Sequence, residues 1–229
     1  MFAENPLFTT PPQKAQLWRY MDFAKFVSLL STQTLFFARA DRLSDAWEGA
    51  MTRPNLNARQ FDIRNIFELN QEQQAGLTRR LSNLFECMKK HTYISCWHEN
   101  EQESAAMWKL YVTGGQGIAV QSTFKSLTQA LGTSYPFHAG LVRYKDYNAD
   151  TFPEGNTLAP FVHKRASFAH EREVRAVIQD NRGEDEAPAA EFGIQVPADL
   201  NVDAVQSLLN QFGLKREVRR SSLDEDPVY

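Results

Sequence analysis

YISCWHENEQESAAMWKLYVTGGQGIAV, residues 93–120, is the stretch on which the fold turns. Tyr93-Ile94-Ser95-Cys96-Trp97 is a short run of β-branched and aromatic residues suited to a buried strand. An acidic turn follows, and from Ser104 a helical pattern puts Met107, Leu110 and Tyr111 on one face. Gly114-Gly115 is expected to stop that helix, because glycine takes the left-handed conformation a helix end needs. Gly117-Ile118-Ala119-Val120 then reads as a second strand. The unit carries two tryptophans, a serine, a histidine and a tyrosine, but no self-explanatory catalytic motif. It points to a mixed α and β domain with one polar-lined cleft.

Toward the N-terminus, residues 60–90 are the longest helical region, with Leu77, Leu81, Leu84, Phe85 and Met88 on one face. Gly76 is a place where it would split, and Asn70 to Gln74 reads as a solvated bend. Leu17–Met21 and Thr34–Arg39 read as strands around a helix capped by Asp22, with Phe23, Phe26, Val27 and Leu30 as its apolar stripe. Residues 42–49 form a polar loop around Trp47, and residues 1–13 are expected to be extended or mobile. Toward the C-terminus, Ser122 or Thr123 caps a short helix closed by Gly132, and His138–Tyr147 reads as a strand. A helix is predicted from Pro160 to about His170, a strand over 171–178, and an acidic loop or hairpin over 180–190. The tail suggests a strand at 192–196, a helix at 203–212 and a strand at 215–219. Without repeats or regular βαβ alternation, the pattern predicts a single α+β domain over 1–229. Its central sheet is mixed or antiparallel, the helical region at 60–90 is an insertion, and the strands at 17–21, 93–97 and 171–178 share one central region.

Composition narrows the partners. A net charge of -3 over 229 residues gives no global basic field. Aromatics make up 12%, including 16 phenylalanines, which suits a dense interior or an aromatic-lined pocket. Cys87 and Cys96 read as free thiols of a reducing compartment. With no signal-peptide pattern and no apolar run of membrane-spanning length, a cytoplasmic protein that does not enter a membrane is expected.

Chemistry concentrates in Glu171-Arg172-Glu173-Val174-Arg175. On a strand, Glu171, Glu173 and Arg175 would share one face, with Val174, Ala176 and Ile178 in the core. Two carboxylates so placed suit a cation, a ribose hydroxyl or general-base work, and equally a solvated junction of charge pairs. Arg19 and Tyr20 suit a phosphate and a stacked ring, or else an edge arginine and a core tyrosine. Ser95 has no nearby base and reads as a hydrogen-bonding group. Gly114-Gly115-Gln116-Gly117 lacks the strand before and helix after that a dinucleotide fingerprint needs. His163 and His170 are spaced for one helical face but lack a third ligand, so no metal site is expected.

In order, Arg19-Tyr20, Phe36, Asp41 to Gly49, Ile94 to Trp97, Met107-Trp108, Tyr111, Gly117-Ile118 and Glu171 to Arg175 resemble a bacterial domain-of-unknown-function family, often labelled abortive-infection-like. The resemblance covers about residues 17–180. It departs where Ser44-Asp45-Ala46-Trp47-Glu48 replaces an Asn-Asp-Pro-Phe-Glu run, and where Cys96-Trp97-His98 replaces Cys-Phe-Ser. The layout is similar to that of ADP-ribosyltransferases. It implies NAD as co-substrate, Glu173 and Glu171 as catalytic carboxylates, and Arg19, Tyr20, Ser95 and Tyr111 as NAD-binding residues. It further implies a toxin or antiphage effector, with a nucleic acid or protein as macromolecular acceptor and an antitoxin or other neutralising partner. Two rival classes are a non-catalytic binding or sensor domain of the same fold, and a hydrolase or nuclease working through Glu48, Glu171 and Glu173. The transferase reading requires Arg19 and Glu173 to face each other across a nicotinamide-sized space.

Overall fold

The computed structural model describes residues 1–65, 69–112, 117–132, 135–180, 187–189 and 192–195. In chain order they form β1 (Gln16–Asp22), α1 (Phe23–Thr32), β2 (Thr34–Arg39), α2 (Arg53–Asn65), α3 (Gln71–Lys90), β3 (Thr92–Glu99), α4 (Ala105–Tyr111) and β4 (Gly117–Thr123). Then follow α5 (Phe124–Ala130), β5 (His138–Leu141), β6 (Arg143–Lys145), α6 (Ala159–Val162), β7 (His163–Arg165), β8 (Glu173–Gln179) and β9 (Phe192–Gln195). The 93–97 run sits inside β3, at the centre of a curled antiparallel sheet. One path runs β4-β1-β3-β2-β9, and β8 lies between β3 and β5. The strands expected at 17–21 and 171–178 thus flank the one expected at 93–97, in an α+β architecture.

β3 is shared unevenly. β8 pairs along its length, from Thr92 opposite Gln179 to His98 opposite Glu173. The other edge is divided: β1 pairs only at His98 and Glu99, and β2 only at Tyr93 and Ile94. The sheet splits between them, beside Ser95.

Side-chain alternation gives the sheet two buried faces. On one, Leu17, Met21, Tyr93, Trp97, Val174, Ala176 and Ile178 pack with Phe26 and Leu30 of α1, Phe124 and Leu127 of α5, and Phe37. On the other, Ile94 and Val177 meet Leu7, Phe8, Met51, Phe152 and Phe161. Full burial of each large apolar side chain contributes about 1.5–3 kcal/mol.

Several expectations shift in the folded chain. The helical region starts at Arg53, and Gly76 lies inside an unbroken α3. Asn70 begins that helix, with a capping box to Gln73, so the glutamine-rich tract is helical rather than a bend. Thr123 caps α5 through the Ser126 N–H. The strand predicted over 138–147 breaks at Val142, whose N–H is drawn to the Glu173 carbonyl. The helix predicted from Pro160 to His170 ends at Val162, because residues 163–165 pair in parallel with β6. That pairing separates His163 from His170. The strand at 192–196 appears as β9, while the Gly114-Gly115 stop, the helix at 203–212 and the strand at 215–219 lie outside the described residues.

Residues 1–13 lie against the sheet, with a turn at 6–8 closed by the Phe8 N–H donating to the Asn5 carbonyl. Phe2 bridges to Phe137 and Thr9 to Leu141, and Leu7 and Phe8 are buried. The Leu141 N–H donates to the Thr9 carbonyl at 2.8 Å. This approach depends on Gly140, where a Cβ would stand 2.8 Å from that same carbonyl oxygen and 3.1 Å from the Phe8 Cβ. Gly140→Ala is expected to lower stability by about 1–3 kcal/mol. It should also expose residues 1–13 to limited proteolysis faster than the rest of the chain. Unchanged cleavage and an unchanged Tm would show that the segment adapts without leaving the sheet.

Candidate functional site

Alternation in β8 sends Glu173 and Arg175 to the face opposite Val174 and Ala176, where the sheet is also covered. Arg175 is 1% exposed. A guanidinium at such depth is tolerated only when its donors are matched by charge. It donates to both Glu48 oxygens (2.5 and 2.9 Å), both Glu173 oxygens (2.7 and 3.1 Å) and the Phe161 carbonyl (2.8 Å). Glu48 arrives from a tight loop whose Gly49 has φ +68°. A Cβ there would meet the Phe161 ring at 2.7 Å, so glycine lets the loop close over the cluster. From β7, Lys164 donates to Glu171 Oε2 at 2.5 Å and to Glu173 Oε2 at 3.3 Å.

Burial by itself would raise the Glu173 pKa, but the charges of Arg175 and Lys164 outweigh it and bring the carboxyl down to about 2. Burial opposes the charge on Lys164 too, yet Glu173 and Glu171 hold its pKa above the ordinary value. Three carboxylates (Glu48, Glu171, Glu173) face two cations (Lys164, Arg175), and the cluster carries one surplus formal negative charge.

Glu171 does not share a strand with Glu173. It ends a 3-10 turn over Ala166–Glu171, and Arg172 takes a left-handed conformation (φ 39°) before β8 begins. That geometry costs a non-glycine residue on the order of 1–2 kcal/mol. It is held by the Arg172 carbonyl accepting from the Glu99 N–H at 2.9 Å and by an Arg172–Glu99 ion pair. The result still satisfies the expectation that the two carboxylates meet, but through Lys164 rather than strand alternation. Glu173 has both oxygens occupied. Among the described residues, Glu171 uses only Oε2, which leaves Oε1 to accept.

Around the carboxylates, His98 Nδ1 lies 2.6 Å from the Glu171 carbonyl oxygen. A carbonyl can only accept, so Nδ1 donates its proton to it. Nε2 is buried with no partner among the described residues. The Tyr144 hydroxyl accepts from the Glu173 N–H at 2.8 Å. Its phenol is pushed up to about 12, first by burial, with Glu173 also raising it against the lowering effect of that hydrogen bond. Tyr111, at the end of α4, is 42% exposed, and its phenol is raised by burial and by the nearby Glu171.

The predicted residues divide between the faces. Tyr20, Tyr111, Glu171 and Glu173 lie on the side described above. Tyr20 is buried there: its hydroxyl accepts from the Ser104 N–H at 2.7 Å and its ring meets Trp108 edge-on at 5.1 Å, so it anchors α4 rather than offering a free ring. Burial raises its phenol to about 12. Arg19 and Ser95 lie on the opposite face, since Arg19 alternates with Leu17 and Met21 and Ser95 stands across from Ala176. They do meet. Arg19 donates to Ser95 Oγ at 3.0 Å and to the Phe36 carbonyl at 2.9 Å, which ties β1 to β2 across the split. Ser95 also accepts from Trp97 Nε1 and is wholly buried, which leaves it no role as a reachable binding group. The pairing of Arg19 with Glu173 across a cleft is therefore corrected: the sheet separates them.

Lys164, Tyr144 and the orientation of His98 were not visible in the sequence. Lys164 lay inside a predicted helix, and Tyr144 looked like one alternating strand residue. Among the described residues, no group of three or more His, Cys, Asp or Glu is placed to hold a metal ion.

Because its folded pKa lies below the unfolded carboxylate value, Glu173 stabilises the fold above roughly pH 4.4. That stability is lost as pH falls toward about 2. Glu173→Gln breaks two buried pairs and is expected to cost about 3–5 kcal/mol at neutral pH. The variant should also flatten the acid limb of a plot of unfolding free energy against pH. Equal stability of both proteins at pH 7 would mean that the cluster is not the anchor its geometry indicates.

No protein-family model matches this chain, and no curated protein or solved structure does either, so its function is read from the geometry of the cluster.

Proposed function

We propose that the chain is a non-catalytic binding or sensor domain: the sheet separates Arg19 from Glu173, so the facing pair that a transferase requires is not formed. Its binding site is the buried carboxylate cluster with one surplus negative charge beside the exposed ring of Tyr111. A fixed negative charge in a water-poor site favours a ligand that carries positive charge, such as an oxidised nicotinamide ring.

Within this proposal the roles differ from those the resemblance implies. Glu171, with Oε1 available, is the carboxylate that meets the ligand. Glu173, saturated by Arg175 and Lys164, positions it through the shared lysine. Tyr111 supplies the exposed aromatic wall. Arg19 and Ser95 take no part, and the diphosphate of NAD would need a different cation.

The saturation of Glu173 and the hold of Lys164 on Glu171 also favour this reading. The second, an ADP-ribosyltransferase-like effector with NAD as co-substrate and a macromolecular acceptor, would use the surplus negative charge to stabilise positive charge on a ribose carbon, but lacks the facing Arg19. Measured NAD consumption separates the two. For the enzyme, Glu171→Gln should lower turnover per folded molecule on the order of 10²–10³-fold, and it should also lower thermal stability because it breaks the buried pair with Lys164. Arg19→Ala should leave turnover per folded molecule unchanged. Wild-type protein that binds NAD but releases no nicotinamide in the presence of cell lysate would establish the binding domain.

A further inference from the structure

β6 and β7 pair in parallel with Arg143 opposite His163, Tyr144 opposite Lys164, and Lys145 opposite Arg165. Alternation assigns the two faces of this ribbon different work. Tyr144 and Lys164 turn inward to the carboxylates. Arg143, Lys145 and Arg165 fall on the other face, where all three are partly exposed. Arg143 bonds only the neutral Thr9 hydroxyl, and Lys145 has no ion pair among the described residues. Arg165 pairs with Asp45 at 2.8 Å, and its guanidinium lies 5.7 Å from the Trp47 ring and 5.2 Å from the Phe168 ring. Trp47 is 42% exposed and meets Tyr147 edge-on. The exposed Arg53 is joined to the same corner by its backbone N–H, which donates to the Tyr147 carbonyl. Of the nearby acids, Asp45 is paired with Arg165, while Asp146 and Asp150 accept from backbone N–H groups of the turn after β6 and keep their negative charge.

We propose that this ribbon face and Trp47 bind single-stranded nucleic acid. Arg143 and Lys145, two residues apart on a strand and so about 7 Å from one another, suit successive phosphates. Trp47 offers a ring on which an unpaired base stacks, and Arg165 lies against that ring. A duplex offers no free base face to the indole, and an acidic peptide would gain from the cations but not from the ring. In a chain whose net charge is -3, attraction for a polyanion has to be local. The inference goes beyond both readings of the carboxylate cluster and depends on neither, because binding is measured without NAD.

The test is fluorescence anisotropy of the full chain with a short labelled oligothymidylate, its RNA counterpart, a duplex and polyglutamate. Wild type, Trp47→Ala and Lys145→Ala are compared over a range of salt, with melting curves to establish that each variant is folded. Trp47→Ala should weaken single-strand binding about tenfold with the salt slope kept. Lys145→Ala should reduce the slope of log affinity against log salt by about 0.7. A preference for DNA or RNA names the natural strand, and either supports the site. Absence of binding, equal binding of duplex or polyglutamate, or indifference to both variants would overturn it.

Discussion

The buried guanidinium of Arg175 is the constraint on which this structure depends. Placed on a strand covered on both sides, it cannot be hydrated, so the chain must bring it acceptors from several distant segments. The 43–50 loop supplies Glu48, α6 supplies the Phe161 carbonyl, and β8 itself supplies Glu173. Loss of one partner leaves a charge uncompensated. The loop, the short helix and the strand end are therefore locked together, in addition to the apolar packing of Met51, Phe161 and Val177.

The same cluster explains the unusual backbone around it. Arg172 is left-handed, α6 stops after one turn, and β7 leaves the helical path to pair with β6. Each departure puts one donor or acceptor in reach: Glu171, Lys164 and Tyr144 all converge on Glu173 or its partners. Because the positive charges fall one short of the negative ones, the cluster is anchored and still electrically polarised, a combination suited to ligand chemistry.

On the opposite face, Arg19 solves a different problem. β1 and β2 use different ends of one edge of β3, which leaves carbonyls and a hydroxyl at the split with incomplete ladders. Arg19 spans the gap by bonding Ser95 and Phe36, while burial lowers its pKa to about 10. Arginine, with its fork of donors on a long stem, can serve two strands at once.

Local pattern was enough to determine the element types around β1, α1, β2, β3, α4, β4 and α5, because each has a clear apolar period. It also determined which β8 residues face the first core: Val174, Ala176 and Ile178. Four of the six proposed site residues, Tyr20, Tyr111, Glu171 and Glu173, do share one side. What tertiary structure alone decided is which face of the sheet β1 presents to β3 and β8. Moving a strand by one residue exchanges its faces, and nothing in the local sequence around Arg19 sets its register against a strand nearly eighty residues away. Tertiary contacts also decided that the second face would be covered, turning a presumed solvated pair of carboxylates into a buried ion cluster. Lys164 became its centre through pairing with β6, a long-range contact that outweighs the helical preference of residues 160–170.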